Sequence, residues 1–213
     1  YVDKQDTIPQ LGMMDWAKST PVADEITLIQ APNNIGYDIL GNALRSRQNA
    51  FNLDGSGYAE VADDNSLDIT TEITLSAWVK MNSGYGVLFF KDAWVANGYG
   101  LYLNTVTFGA RLYINGSYHS SSSTTPLPIG VWTHVTATYD GVNIKYYLNG
   151  LADGVFAVSA GSVGVNTKDM YIGSNSGAGE GVDGLIDETL IYDRALTSTE
   201  ITNNYNVGLT AHS

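Results

Sequence analysis

The residues whose types could do chemistry fall into three groups: aromatics set among turn residues, aspartates beside glycine-rich turns, and three scattered histidines. The chain carries 14 Tyr and 4 Trp. Sugars offer C–H faces that stack on such rings, while their hydroxyls bond to Asn, Asp and Tyr, and binding residues concentrate in loops. By that criterion the candidates for ligand contact are Trp94 and Tyr99, which flank Asn97-Gly98, with Tyr85, Tyr118 and His119 beyond them. A plainer reading of Trp94 is a loop tryptophan folded over the edge of its own sheet.

Catalytic spacings are missing. His119, His134 and His212 share no metal-ligand spacing, and His134 lies within an apolar strand pattern that suits a structural role. Gly173-Ser174-Asn175-Ser176-Gly177 has Asn where a nucleophile elbow needs its central Ser. The Gly-rich stretch 173–184 lacks the Lys-Ser/Thr ending of a phosphate loop. Asp63-Asp64-Asn65 lacks the Gly and terminal Glu of an EF-hand and reads as a solvated turn. Glu180 with Asp183, and Asp187 with Glu188, come nearest to paired carboxylates. Their spacing is wrong, and adjacent strand residues point to opposite faces.

Composition narrows the class further. At 213 residues, with 44% apolar and 15% charged, the chain can bury one sandwich-sized core, alone or with an appendage. A net charge of −12 with ten Lys plus Arg argues against nucleic acid, anionic membranes and polyanionic glycans. The absence of cysteine removes disulfides, thiolate metal sites and cysteine catalysis. No apolar run approaches the ~20 residues of a membrane span. The chain opens on Tyr1 with no signal-peptide-like stretch, as expected of a processed product or a module cut from a longer chain.

Two regions must position these residues. Residues 1–44 are punctuated by Pro9, Pro21 and Pro32 and read as an arm or connector. A short, uncapped helix near Gly12–Lys18 and a strand at Glu25–Ile29 are its candidate elements. The arm serves either in oligomerisation or anchoring, or as a linker packed along the domain. Residues 45–213 read as all-β, with strands every ~8–12 residues between Gly, Asn and Asp. Residues 72–80 alternate, as do 111–118, which lead into the serine run Ser120–Ser123, read as a surface loop. The clearest hairpin runs 131–148, with Val131, Val135, Ala137 and Tyr139 at odd positions before the Asp140-Gly141 turn. Asn149-Gly150 marks another tight turn, and Thr197-Ser198-Thr199-Glu200 predicts a capped terminal helix from about Ser198.

Several motifs arrive in a fixed order: Phe51–Tyr58, Ile73-Thr74-Leu75-Ser76-Ala77-Trp78-Val79, Gly130-Val131-Trp132-Thr133-His134-Val135, Tyr139-Asp140-Gly141, Tyr147-Leu148-Asn149-Gly150 and Gly184-Leu185-Ile186-Asp187-Glu188. Together they resemble the laminin-G-like branch of the concanavalin A-like lectin/glucanase superfamily over roughly residues 50–206. The resemblance implies an antiparallel two-sheet jelly-roll sandwich with an irregular N-terminal arm and a short C-terminal helix. It places Trp78 and Trp132 in the core, within family-like strands.

The resemblance also implies that the first and last strands lie side by side, with a structural calcium near their junction. Asp54 and Asp187 are then its candidate ligands, with Asp183 a third. Calcium takes about six to eight oxygens, and glycine-rich turns can add carbonyls. The alternative is that Asp187 caps backbone amides or pairs with Arg45 or Arg47. Laminarinase-like hydrolases of the superfamily carry Glu-x-Asp-x-x-Glu on one strand, and this chain lacks it. The expectation is a non-catalytic recognition or adhesion module, outside a cell or on a particle, binding carbohydrate or protein. The alternative is a bacteriophage virion surface protein, in capsid decoration or tail, assembled through residues 1–44.

Overall fold

The stretch Ile73–Met81 shows how this sequence builds a sandwich. Ile73, Leu75, Ala77, Val79 and Met81 all enter the core, and period-two geometry turns Thr74, Ser76 and Trp78 to the other face. The computed structural model describes residues 13–15, 26–29, 36–37, 43–44, 50–91, 97–175 and 179–212.

In chain order the strands are β1 (Met13–Asp15), β2 (Ile26–Ile29), β3 (Gly36–Tyr37), β4 (Ala43–Leu44), β5 (Phe51–Asp54), β6 (Ala59–Val61), β7 (Ile73–Met81) and β8 (Tyr85–Lys91). They continue as β9 (Tyr99–Asn104), β10 (Thr107–Ile114), β11 (Ser117–Ser122), β12 (Thr133–Tyr139), β13 (Asn143–Leu148), β14 (Leu151–Ala157), β15 (Met170–Ile172) and β16 (Asp183–Tyr192). Helix α1 (Ser198–Leu209) follows, and a short 3₁₀ turn spans Asn65–Leu67.

Two antiparallel sheets face each other. One has eight strands in the order β1-β2-β16-β7-β12-β13-β14, with β5 also on β16. The other has six, in the order β11-β10-β9-β8-β15-β6. The first and last sandwich strands are indeed neighbours, Asp54 opposite Asp183 and Phe51 opposite Ile186. One flank of β16 is shared between two partners: β5 takes Asp183–Ile186 and β2 takes Thr189–Tyr192. The core between the sheets includes Leu75, Val79, Phe89, Leu101, Phe108, Val135, Ile144 and Ile186. Each such side chain contributes ~1.5–3 kcal/mol on full burial.

The turns follow their residues. Asp140 Oδ1 accepts from the amides of Val142 and Asn143, and Gly141 supplies φ +91°. Asn149 and Gly150, at φ +50° and +77°, close the two-residue turn between Leu148 and Leu151. The capping box forms as its spacing predicts: Thr197 Oγ1 accepts from the Glu200 amide, and Glu200 reaches back to the Thr197 amide.

Helix α1 and its lead-in lie over the outer face of the eight-stranded sheet. Thr74 Oγ1 donates to Arg194 O and accepts from the Leu196 amide. A side-chain carbon on Gly208 would stand 2.2 Å from Trp78 Nε1, so only glycine lets the helix sit this close. Trp78 is therefore buried, as expected, but beneath the helix rather than between the sheets. Trp132 is half-buried, edge-on to His212.

Three local expectations are corrected. Met13–Asp15 is a strand paired with β2, not part of a helix, because a short uncapped segment gains more from ladder hydrogen bonds than from one costly helical turn. Residues 26–29 form the strand expected within the arm. The serine run forms half of edge strand β11, its small side chains leaving the ladder with β10 intact through Ser122. Val131 points outward and is 53% exposed, since β12 starts only at Thr133.

Candidate functional site

Alternation on three adjacent strands gathers aromatic side chains on the outer face of the six-stranded sheet. Cross-strand partners Phe90 and Gly100, Val87 and Tyr102, and Tyr102 and Gly109 share that face, with Arg111 and Tyr113 following Gly109 at intervals of two. The glycines explain the arrangement. A Cβ at Gly100 would lie 2.0 Å from the Phe90 ring, and one at Gly109 would lie 2.6 Å from the Tyr102 ring. Both rings therefore lie down on bare backbone.

Arg111 sits above them, its guanidinium 4.5 Å from the Tyr102 centroid and 5.6 Å from that of Phe90, in cation–π geometry. Glu180 Oε2 lies 3.8 Å from Arg111 Nη1 and accepts from Asn175 Nδ2 at 3.1 Å. The Tyr85 hydroxyl donates to Glu180 Oε1, and this bond raises the Tyr85 pKa above its ordinary value. Tyr113 and Tyr118 face each other across β10 and β11 with centroids 5.5 Å apart. The Tyr102 hydroxyl meets Ser120 Oγ at 2.9 Å and Ser122 Oγ at 3.2 Å. Toward the other edge, Tyr171 donates to Glu60 and packs edge-on against Tyr58. The face thus combines apolar ring surface with charged and hydroxyl groups, the mixture that sugar hydroxyls and C–H faces need.

The residues expected at a site divide. Tyr85 and Tyr118 lie on this face, 52% and 45% exposed. Tyr99 does not: its parity turns it inward, its hydroxyl donates to Leu67 O, and burial pushes its pKa well up. No ring face is left for a ligand. His119 pairs with Leu112 and so shares the inward parity of β11, on the side opposite Tyr118. Asn97 closes a neck in the chain: Asn166 Nδ2 donates to both Asn97 O and Lys91 O. Trp94 lies outside the described residues. Tyr102, Arg111 and Tyr113 were not among the expected residues, and Glu180 stood there only as a wrongly spaced carboxylate. The signal was present in Gly100-x-Tyr102 and Gly109-x-Arg111-x-Tyr113, where glycines alternate with aromatic or cationic residues on successive strands.

A family model described as the concanavalin A-like lectin/glucanases superfamily, of the laminin-G type, matches residues 53–202. The chain belongs to this superfamily. Its lectin-like sandwich recurs in solved structures of low identity. Domain 4 of AbnA, a GH43 extracellular arabinanase from Geobacillus stearothermophilus in complex with arabinotriose, is 19% identical, with 90% of this chain and 96% of that one covered at a TM-score of 0.59. The Ruminococcus gnavus IT-sialidase CBM40 bound to α2,3 sialyllactose is 12% identical, with 73% and 95% covered at 0.62. The binding domain of Paraclostridial Mosquitocidal Protein 1 is 14% identical at 0.59, with 83% of this chain but only 48% of that one covered. The chain spans about half of that toxin domain. No curated relative matches the sequence. Among the described residues no helix is long and apolar enough to cross a membrane.

The three aspartates expected near a structural calcium each have partners of their own, and Asp54 and Asp183 lie directly opposite one another on β5 and β16. Asp54 Oδ1 accepts from Ser56 N, Ser56 Oγ and Gly57 N, and the Ser56 hydroxyl leads in holding its pKa below the usual carboxylate range. Asp183 Oδ1 accepts from Asn82 Nδ2. Asp187 accepts from the Glu188 amide through Oδ1 and meets His212 Nε2 through Oδ2. Asp187 does cap an amide, as one reading had it, and its Oδ2 meets a histidine. Arg45 and Arg47 lie outside the described residues.

Proposed function

We propose that this domain is a non-catalytic carbohydrate-binding module, acting outside the cell, whose binding surface is the outer face of the six-stranded sheet. The observation that carries the reading is the aromatic floor of Phe90 and Tyr102, laid on Gly100 and Gly109 and rimmed by Tyr85, Arg111, Tyr113 and Tyr118. The low-identity likeness to a sialidase module and an arabinanase domain that carry sugars in their structures lends support. Neutral glycans fit best, because the net charge of −12 repels polyanions and Glu180 stands beside Arg111. The non-catalytic reading draws on Glu180, whose oxygens are engaged by Tyr85, Asn175 and Arg111 rather than poised opposite a second carboxylate.

The test is a glycan array probed with the full chain, beside Tyr113→Ala and Tyr118→Ala. A neutral-glycan hit should weaken about tenfold when one stacking ring is lost. A blank array, or variants that bind like the parent, would overturn the proposal.

A further inference from the structure

The opposite side of the molecule carries a second cluster that sugar binding does not use. It forms at the midpoint of β16. Asp187 pairs with Trp78 and Leu190 with Ser76, so two residues of β16, Glu188 and Thr189, stand against one residue of β7, Ala77. This is a β-bulge, with Glu188 at φ +47°. In a regular strand Asp187 and Glu188 would point to opposite faces. The bulge cancels that rule and turns both carboxylates toward His212, whose ligand nitrogen and their oxygens all lie within 4.8 Å of one another. The pair also falls in the gap on the flank of β16, between the rungs taken by β5 and those taken by β2.

His212 is held as a ligand ring is held. Its side chain is 1% exposed, stacked on Trp78 at 4.3 Å and 8°, with Trp132 edge-on at 4.7 Å. Nδ1 lies 2.8 Å from Gly208 O, which can only accept, so Nδ1 carries a proton and donates it. That bond fixes the tautomer and leaves Nε2 directed at Asp187 Oδ2, 3.0 Å away. Nε2 and Oδ2 can therefore share a proton or a metal ion between them.

We infer that Asp187, Glu188 and His212 form a site for a nitrogen-seeking divalent transition metal of the zinc class. Zinc bonds to nitrogen and oxygen at about 2.0–2.2 Å in tetrahedral geometry, which sets its donors a little over 3 Å apart. One imidazole with two carboxylates is a donor set that zinc or cobalt accepts, whereas calcium prefers oxygen ligands alone. A backbone carbonyl accepting from Nδ1, as Gly208 O does here, is a usual outer partner of a metal-bound histidine. Three protein ligands leave a fourth position for water.

The test uses the full chain stripped with EDTA and titrated with Co²⁺, read by visible ligand-field absorption and by quenching of tryptophan fluorescence, since Trp78 lies directly on the ligand ring. The expected result is one Co²⁺ per chain, displaced by Zn²⁺ but not by Ca²⁺. Asp187→Asn keeps the acceptor for the Glu188 amide, and it should weaken binding at least tenfold, as should His212→Gln. His119→Ala, which alters a histidine outside the cluster, should change nothing. No absorption band, a band that survives both ligand variants, or displacement by Ca²⁺ at similar concentration would overturn the assignment and leave His212 and Asp187 as a hydrogen-bonded pair.

Discussion

Replacing Lys91 with Met should destabilise the sandwich more than its position at the end of a strand suggests. The Lys91 side chain is 1% exposed, and its ammonium is caged by oxygen. It donates to Asp63 Oδ1, to Asn166 O at 3.1 Å and to Lys168 O at 3.0 Å, and Asp68 Oδ1 stands 3.9 Å away. Removing one partner of a buried ion pair costs ~3–5 kcal/mol, because the other charge is stranded. Asp63 and Asp68 keep 29% and 31% exposure, so water recovers part of that loss. The expected cost is therefore ~2–3 kcal/mol. Urea denaturation reads it directly: with a slope of ~2–3 kcal/mol/M, the midpoint should fall by about 1 M. Adding Asp63→Asn to the variant should restore part of the loss, since it removes a stranded charge. A midpoint shift below about 0.2 M would refute the cage as a source of stability.

Two further outcomes follow from single contacts. Gly100→Ala places a carbon 2.0 Å from the Phe90 ring, so the ring must lift; this should cost ~1–3 kcal/mol and reduce glycan binding on the array along with it. Unchanged binding would mean the floor does not touch the ligand. The second concerns acid. Glu200, bonded first by Arg194 and then by the Thr197 amide, has its pKa lowered from 4.5 to about 2. A depressed carboxylate stabilises the fold above its unfolded pKa and loses that contribution as pH falls from about 4.5 to 2. Its side chain is 39% exposed, and solvent screening reduces the contribution to about 1 kcal/mol. Stability measured across this window should fall less steeply in Glu200→Gln, and identical slopes would contradict the assignment.

The fold was legible because its signals are local. Alternation at Ile73–Val79, the Asp140-Gly141 and Asn149-Gly150 turns and the Thr197–Glu200 box each depend on residues within a few positions of one another. The adjacency of Asp54 and Asp183 needed the family resemblance, since no local pattern joins residues so far apart. The site was less legible for the same reason. Tyr99 looked like a loop aromatic, yet the ladder with β8 and β10 begins at that residue and commits it inward. Tyr102 and Arg111 looked like ordinary strand residues, because only the pairing of three strands shows that their neighbours are glycines. The strand rule that separates Asp187 from Glu188 holds for regular pairing, and a bulge leaves no mark in composition.

The divided flank of β16 bears on how the molecule would carry tension. A pull entering through residues 13–29 falls on the short ladder of Ile26–Ile29 against Thr189–Tyr192. The ladder of Phe51–Asp54 against Asp183–Ile186 belongs to a different stretch of chain and stays outside that load path. The first ladder is expected to open as a sacrificial link, letting out slack while the six-stranded sheet and its aromatic floor keep their shape. A module tugged from its N-terminal side would lengthen before it let go of whatever it held.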